Sequence, residues 1–268
     1  MYKLIAVDMD ETLLTQDKKI TSNTLSVLNE ARSKGIKIVL ATGRPFEGII
    51  KYIKQLGTYD DNNYSIVYNG AKIVNNFSRN TIAEQFMNGE NLHEIYGLSR
   101  KFNTSLISYT ISDGCITPEI TEYSMLEARI NGINIKEMDL HKVKDNEPVI
   151  KAILTAKSQV LDSACENMPK YIYDKYCIVR SDPHFLEFLK KNTNKGTGLE
   201  LLAKKLGIKR EEIMSFGDAG NDTNMVRYAG MGVAMGNAFD EVKKAANFVT
   251  LTNNEDGVAY AVKKFCNI

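Results

Sequence analysis

Leu4-Ile5-Ala6-Val7-Asp8-Met9-Asp10-Glu11-Thr12 is the stretch that decides how this chain reads. Its apolar run passes without a polar break into a carboxylate, as in a buried parallel strand that ends at solvent. Residues two apart on extended chain share a face, so Asp8 and Asp10 can both look into the crevice at the carboxyl end of such a sheet. Two carboxylates that close repel, and Mg²⁺, which prefers oxygen ligands and tolerates several waters, is their natural neutraliser. Surface pairs of this kind are common; the place at the end of a buried strand gives this one its weight.

Working outward, strand and helix alternate. Thr21 or Ser22 can cap a helix carrying Leu25 and Leu28, and Gly35 sits where it would stop. Residues 36–41 form the next apolar run, and Pro45 opens a second helix that ends at Gly57. Two strand–helix units in succession predict a doubly wound α/β sheet. Near Ser65 the pattern changes, with apolar runs around Asn69-Gly70 and Asp113-Gly114 that read as hairpins. Helical stretches over 91–102 and 158–168 separate further strands at 149–156, 177–180 and 185–189. After Lys195 the α/β rhythm returns. The simplest architecture is a Rossmann-like core made from residues 1–81 and 191–268, with an α+β unit inserted over 82–190.

Lysine and arginine total 34 against 33 acidic residues among 268, so there is no basic excess for a nucleic acid or an anionic membrane. No segment reaches the roughly 18 apolar residues of a membrane span. The first apolar run is too short for a signal peptide. The four cysteines lack zinc spacing and read as reduced thiols, so the cytoplasm is the expected setting.

Three further clusters carry chemistry. Thr42-Gly43-Arg44 ends the second strand, where the hydroxyl and close-lying backbone N–H groups suit a phosphate, although a simple helix cap reads the same way. Lys195-Gly196 precedes a helix, so an ammonium and free N–H groups can converge on one anion, or the lysine is merely solvated. Gly217-Asp218-Ala219-Gly220-Asn221-Asp222 follows an apolar strand and is either a ligand set or an Asx-rich turn. No Gly-x-x-x-x-Gly-Lys-[Ser/Thr] occurs, which excludes a P-loop site.

These four clusters, in this order, resemble the motifs of the haloacid-dehalogenase superfamily. Asn69-Gly70-Ala71, Pro183-His184-Phe185-Leu186-Glu187, Ala234–Ala238 and Thr252–Val258 narrow the likeness to its Cof-type phosphatases. The resemblance implies a Rossmann-like core with a C2-type α+β cap, and Mg²⁺-dependent removal of phosphate from a small metabolite, sugar phosphates foremost. Matching positions then imply that Asp8 is the nucleophile and Asp10 the general acid and base. They imply Mg²⁺ on Asp8, Asp10, Asp218 and Asp222, and the phosphoryl oxygens on Thr42, Gly43, Lys195 and Asn221. Arg44, Asn69 and His184 are candidates for contact with substrate or cap. Two rival readings are a phosphomutase and a silent phosphometabolite-binding protein. One departure stands out: Glu11 occupies a position usually held by glycine in this family.

Overall fold

A computed structural model describes all residues from Met1 to Ile268. The chain forms two compact units, Met1–Glu84 with Asn194–Ile268, and Gln85–Thr193.

The first unit is built on one sheet of eight strands. Leu4–Val7 lies at its centre, with Lys37–Ala41 and Tyr64–Val67 following to one side and Ile213–Gly217, Met231–Ala234 and Phe248–Val249 to the other. These six are parallel. The chain thus leaves the first strand in one direction, returns after a hundred residues, and continues in the other. That reversal opens a crevice at the carboxyl end of Leu4–Val7. Lys72–Asn75 and Thr81–Glu84 extend the sheet antiparallel past Tyr64–Val67. The pairing of Thr81–Glu84 carries this unit beyond residue 81, where the sequence pattern ended it.

Strand residues of one parity, Leu4, Ala6, Val39 and Ala41, pack against Leu199, Leu202 and Met225 from two helices. Those of the other parity, Ile5, Val7, Ile38 and Leu40, are equally buried, and the helices Ser22–Ser33 and Gly257–Cys266 pack against each other. Thr21 rather than Ser22 caps the first helix, its hydroxyl accepting from Thr24 N at 3.1 Å. The segment after Pro45 starts as a tight 3₁₀ turn, Phe46–Ile49, before the α-helix Ile50–Gln55.

The second unit is a six-stranded sheet in the order Tyr176–Asp182, Phe185–Lys190, Val149–Thr155, Ser105–Thr110, Gly114–Thr117, Ile135–Glu137. Only the last pair is parallel. Leu106, Ala152, Leu154, Leu186 and Phe188 share a face with Leu92 and Ile95 of the helix Gly89–Lys101 and Leu161 of Ser158–Glu166. The helix Glu122–Asn131 has no counterpart in the sequence reading. Its Met125 and Ile130 are exposed while Glu127 is buried, so no apolar stripe marks it. No helix is long and apolar enough to cross a membrane.

Candidate active site

At the end of the first strand, Asp8 N donates to Phe216 O at 3.1 Å, which ties the start of the Asp8 loop to the neighbouring strand. The chain then makes a wide turn over Met9–Leu13, closed by Leu13 N donating to Asp8 O at 3.2 Å and Leu14 N to Met9 O at 2.9 Å. Glu11 takes φ +59° in this turn, the left-handed region that glycine enters freely and a side chain enters at a cost. Glycine at this position would carry no such cost.

Lys195 opens the helix Lys195–Leu206, and its ammonium lies between Asp8 Oδ1 and Asp222 Oδ1, the latter at 2.7 Å. Its side chain is 1% exposed, that of Asp222 0%. Asp222 Oδ2 accepts from the backbone N–H groups of Asp218 and Ala219 at 3.0 and 3.1 Å. A side chain on Gly217 would overlap Asp222, so the bare Cα at this strand end is what admits the carboxylate. Asp218 Oδ1 in turn accepts from the Thr12 hydroxyl at 2.6 Å.

The ligand oxygens of Asp8, Asp218 and Asp222 lie within 4.8 Å of one another. Three carboxylates against one ammonium leave two negative charges uncompensated, and the donors are all hard oxygens. That set fits a divalent cation such as Mg²⁺. The electrostatics agree. Burial pushes the Asp8 carboxyl well above the usual range, Asp222 adds to this, and Lys195 pulls against it. Burial also lifts Asp218, to about 6, against the hydrogen bond from Thr12. For Lys195, burial works against the charge, yet Asp222 and Asp8 outweigh it and hold the ammonium protonated. A cation among the three carboxylates would relieve the pressure that raises Asp8 and Asp218.

Asp10 faces a different environment. Arg44 grips its carboxylate with two bonds, Nε to Oδ2 at 2.8 Å and Nη2 to Oδ1 at 2.7 Å. Lys18, absent from the sequence reading, adds an ion pair to Oδ1 at 3.1 Å. Burial opposes ionisation of Asp10, but the bonds and charge of Arg44, with Lys18, outweigh it and hold the pKa below the usual value. Arg44, considered for substrate or cap, is thus committed to Asp10.

Thr42 is buried, and its hydroxyl accepts from Arg44 N at 3.1 Å. Gly43 leaves room for Asn69, whose amide nitrogen would lie 3.0 Å from any Cβ there. Asn69 Oδ1 accepts from Asn221 Nδ2 at 3.0 Å, joining loops 152 positions apart. His184 belongs to the second unit, where its Nδ1 bonds Ala156 O at 3.0 Å and its ring stacks on Tyr123. Thr12 stood inside the quoted motif without a role, and its hydroxyl proves to orient Asp218.

A buried lysine and clustered carboxylates at the switch point of a parallel sheet are the equipment of a phosphoryl-group hydrolase. The chain belongs to the haloacid dehalogenase-like hydrolases, whose family model matches residues 5–262. It is a phosphatase of that family. Over 264 residues it is 37% identical to YxeH of Bacillus subtilis, named only provisionally as a phosphatase, across 98% of this chain and 97% of that one. It is 31% identical to the Bacillus subtilis 5-amino-6-(5-phospho-D-ribitylamino)uracil phosphatase YcsE, across 97% and 94%. The solved structure of the subclass IIB sugar phosphatase BT4131 superposes with a TM-score of 0.83 at 28% identity, covering 99% of this chain and 100% of that one.

Proposed function

We propose that this protein is a Mg²⁺-dependent phosphomonoesterase for small phosphometabolites, sugar phosphates foremost, working through an aspartyl-phosphate on Asp8. The observation that carries the reading is the Lys195 ammonium buried against Asp8 and Asp222, with Asp218 completing a three-carboxylate cluster. The substrate class draws support from two relatives, one named for a sugar phosphate and one for a phosphoribityl compound. Both names describe a phosphate on a polyhydroxylated carbon chain.

Asp8 attacks phosphorus in line, forming the carboxylate–phosphorus bond as the bond to the ester oxygen breaks. Asp10 gives a proton to the departing alkoxide, then takes one from the water that displaces Asp8. Lys195, Thr42, Asn221 and the N–H groups beside Gly43 hold the phosphoryl oxygens, since electrostatic stabilisation dominates this chemistry. Asp8, the Asp10 main-chain carbonyl, Asp218 and Asp222 would hold Mg²⁺, which when bound neutralises charge on the transferring group.

The test is phosphate release from 4-nitrophenyl phosphate and a panel of sugar phosphates, with and without Mg²⁺, for wild type and Asp8→Asn. Release that requires Mg²⁺ and disappears in Asp8→Asn is the expected result. Release that survives Asp8→Asn removes Asp8 as nucleophile, and isomerised sugar phosphate without release points to a mutase.

A further inference from the structure

Tyr68, Asn69 and Gly70 turn the chain at the end of the strand Tyr64–Val67 with φ of +52°, +53° and +94°. Left-handed backbone suits asparagine and glycine, but a tyrosine enters it at a cost. The turn is wedged between two parts of the site. On one side Asn69 N donates to Thr42 O at 2.9 Å and Tyr68 N to Arg44 O at 3.1 Å. On the other it meets the start of the helix Lys195–Leu206, where a Cβ on Gly70 would lie 2.1 Å from Asn194 O.

This backbone places the Asn69 side chain, which is 2% exposed, against both remaining phosphate-binding loops. It packs over Gly43, and its Oδ1 accepts from Asn221 Nδ2 at 3.0 Å. Asn221 lies between Asp218 and Asp222, whose carboxylates are held by other groups: Thr12 for the first, Lys195 and two backbone N–H groups for the second. The Asn221 side chain has its own two torsions to fix. An amide can meet a phosphate with an N–H that attracts it or with an oxygen that repels it. The bond to Asn69 uses one hydrogen of Nδ2, fixes the sense of the amide and leaves the second hydrogen to donate. One neutral hydrogen bond to a half-buried amide returns no more stability than a left-handed tyrosine costs, so holding the fold is a poor reason for this turn.

We propose that Asn69 is a positioning residue for phosphate binding: it holds the Asn221 amide in the orientation that donates to a phosphoryl oxygen, at a fixed offset from the Thr42–Arg44 loop. The inference rests on the reading of Asn221 as a donor to the phosphoryl group. Asn69 acts through Asn221, and pre-set donors are what a site for phosphoryl transfer requires.

The test compares wild type, Asn69→Gly, Asn221→Ala and the double variant Asn69→Gly/Asn221→Ala. Glycine at 69 keeps the left-handed backbone and the N–H to Thr42 and deletes only the amide. Three quantities are measured: affinity for orthovanadate by calorimetry with Mg²⁺ present, kcat/KM on 4-nitrophenyl phosphate, and the rise in melting temperature on adding Mg²⁺. Asn221→Ala should weaken orthovanadate binding and kcat/KM about a hundredfold, the worth of one lost oxyanion donor. Asn69→Gly should weaken both about tenfold, since a misdirected donor keeps part of its effect. The double variant should be no worse than Asn221→Ala, because Asn69 acts through that one amide. Asn69→Gly should keep the wild-type rise in melting temperature with Mg²⁺, because Asp218 and Asp222 are held independently of it. A turn that served only to shape the loop would lose both responses together.

Wild-type orthovanadate affinity in Asn69→Gly, losses that multiply in the double variant, or a Mg²⁺ response that disappears with the amide would each overturn the inference and leave the phosphatase reading intact. Wild-type behaviour of Asn221→Ala would remove Asn221 as a phosphate donor and this inference with it, while the Asp8 mechanism stands. A wild type that neither binds orthovanadate nor releases phosphate would overturn the phosphatase reading itself.

Discussion

The Lys195 ammonium sits 2.7 Å from Asp222 with neither side chain exposed, and its other contact is Asp8. A charge buried so completely survives because two carboxylates surround it, and they survive because of it. Lys195→Met removes the cation and leaves both carboxylates unpaired. It should cost about 3–5 kcal/mol of stability, read from a urea denaturation midpoint. Phosphate release should fall at least a hundred- to a thousand-fold, about the cost of one lost oxyanion donor.

Asp218 shows the opposite balance. It is lifted to about 6 chiefly by burial, with Asp222 adding repulsion. Asp218→Asn keeps an acceptor for the Thr12 hydroxyl while removing a negative charge. In Mg²⁺-free buffer near neutral pH the variant should melt above wild type. Added Mg²⁺ should stabilise wild type and do far less for the variant, since a ligand that binds the native state stabilises it in proportion to its affinity. Thermal melts with and without the ion check both halves. A variant that melts lower without Mg²⁺ would show that the carboxylate is not under this strain.

The second unit holds its own buried cation. Lys151 is 2% exposed, 3.0 Å from Glu187 and 3.8 Å from Glu127, and Glu127 also accepts from the Tyr109 hydroxyl. Lys151→Met should cost about 3–5 kcal/mol, because it strands carboxylates away from water. Adding Glu187→Leu should recover part of that loss, as an apolar pair of similar volume replaces an ion pair. Denaturant midpoints of the single and double variants decide it. A double variant less stable than Lys151→Met alone would contradict the argument.

A pH dependence follows from Asp256. Burial would raise this carboxyl, but hydrogen bonds from Thr21, Asn23 and Thr24 outweigh it and hold the pKa below the usual value. The last two are 2.9 and 3.1 Å long. A folded-state pKa below the unfolded one gives stability that is present above the unfolded value and lost as pH falls through the folded one. Asp256→Asn tolerates the left-handed φ of +60°, removes the charge, and keeps one acceptor oxygen for Thr21 and Thr24 while giving up the one that accepts from Asn23. It should destabilise by about 1 kcal/mol at pH 7, the worth of charge-assisted over neutral hydrogen bonding. The gap should begin to close as pH drops below about 3.9, where a free carboxyl protonates, and shrink further as pH falls through the lower folded-state value. Melting both proteins from pH 7 down to pH 3 measures it. A difference that persists at low pH would place the effect in packing rather than charge.

What the sequence by itself determined was the local order of the molecule. Largely apolar runs ending at Asp8, Ala41 and Gly217 mark parallel strands because a strand covered on both faces needs no polar alternation. The chemistry-bearing residues follow those runs directly, so their convergence could be read from the rhythm of strand and helix alone. The helix Glu122–Asn131 escaped because its burial is set by neighbours rather than by a stripe of its own. Partnerships were beyond reach for a related reason. Nothing local says that Asn221 binds Asn69, that Thr12 orients Asp218, or that Arg44 and Lys18 close on Asp10. A hydrogen bond depends on positions to within a fraction of an ångström, and only the assembled sheet and its turns set distances between loops that far apart in the chain. Sequence named the reactive groups; the tertiary structure decided which of them hold one another.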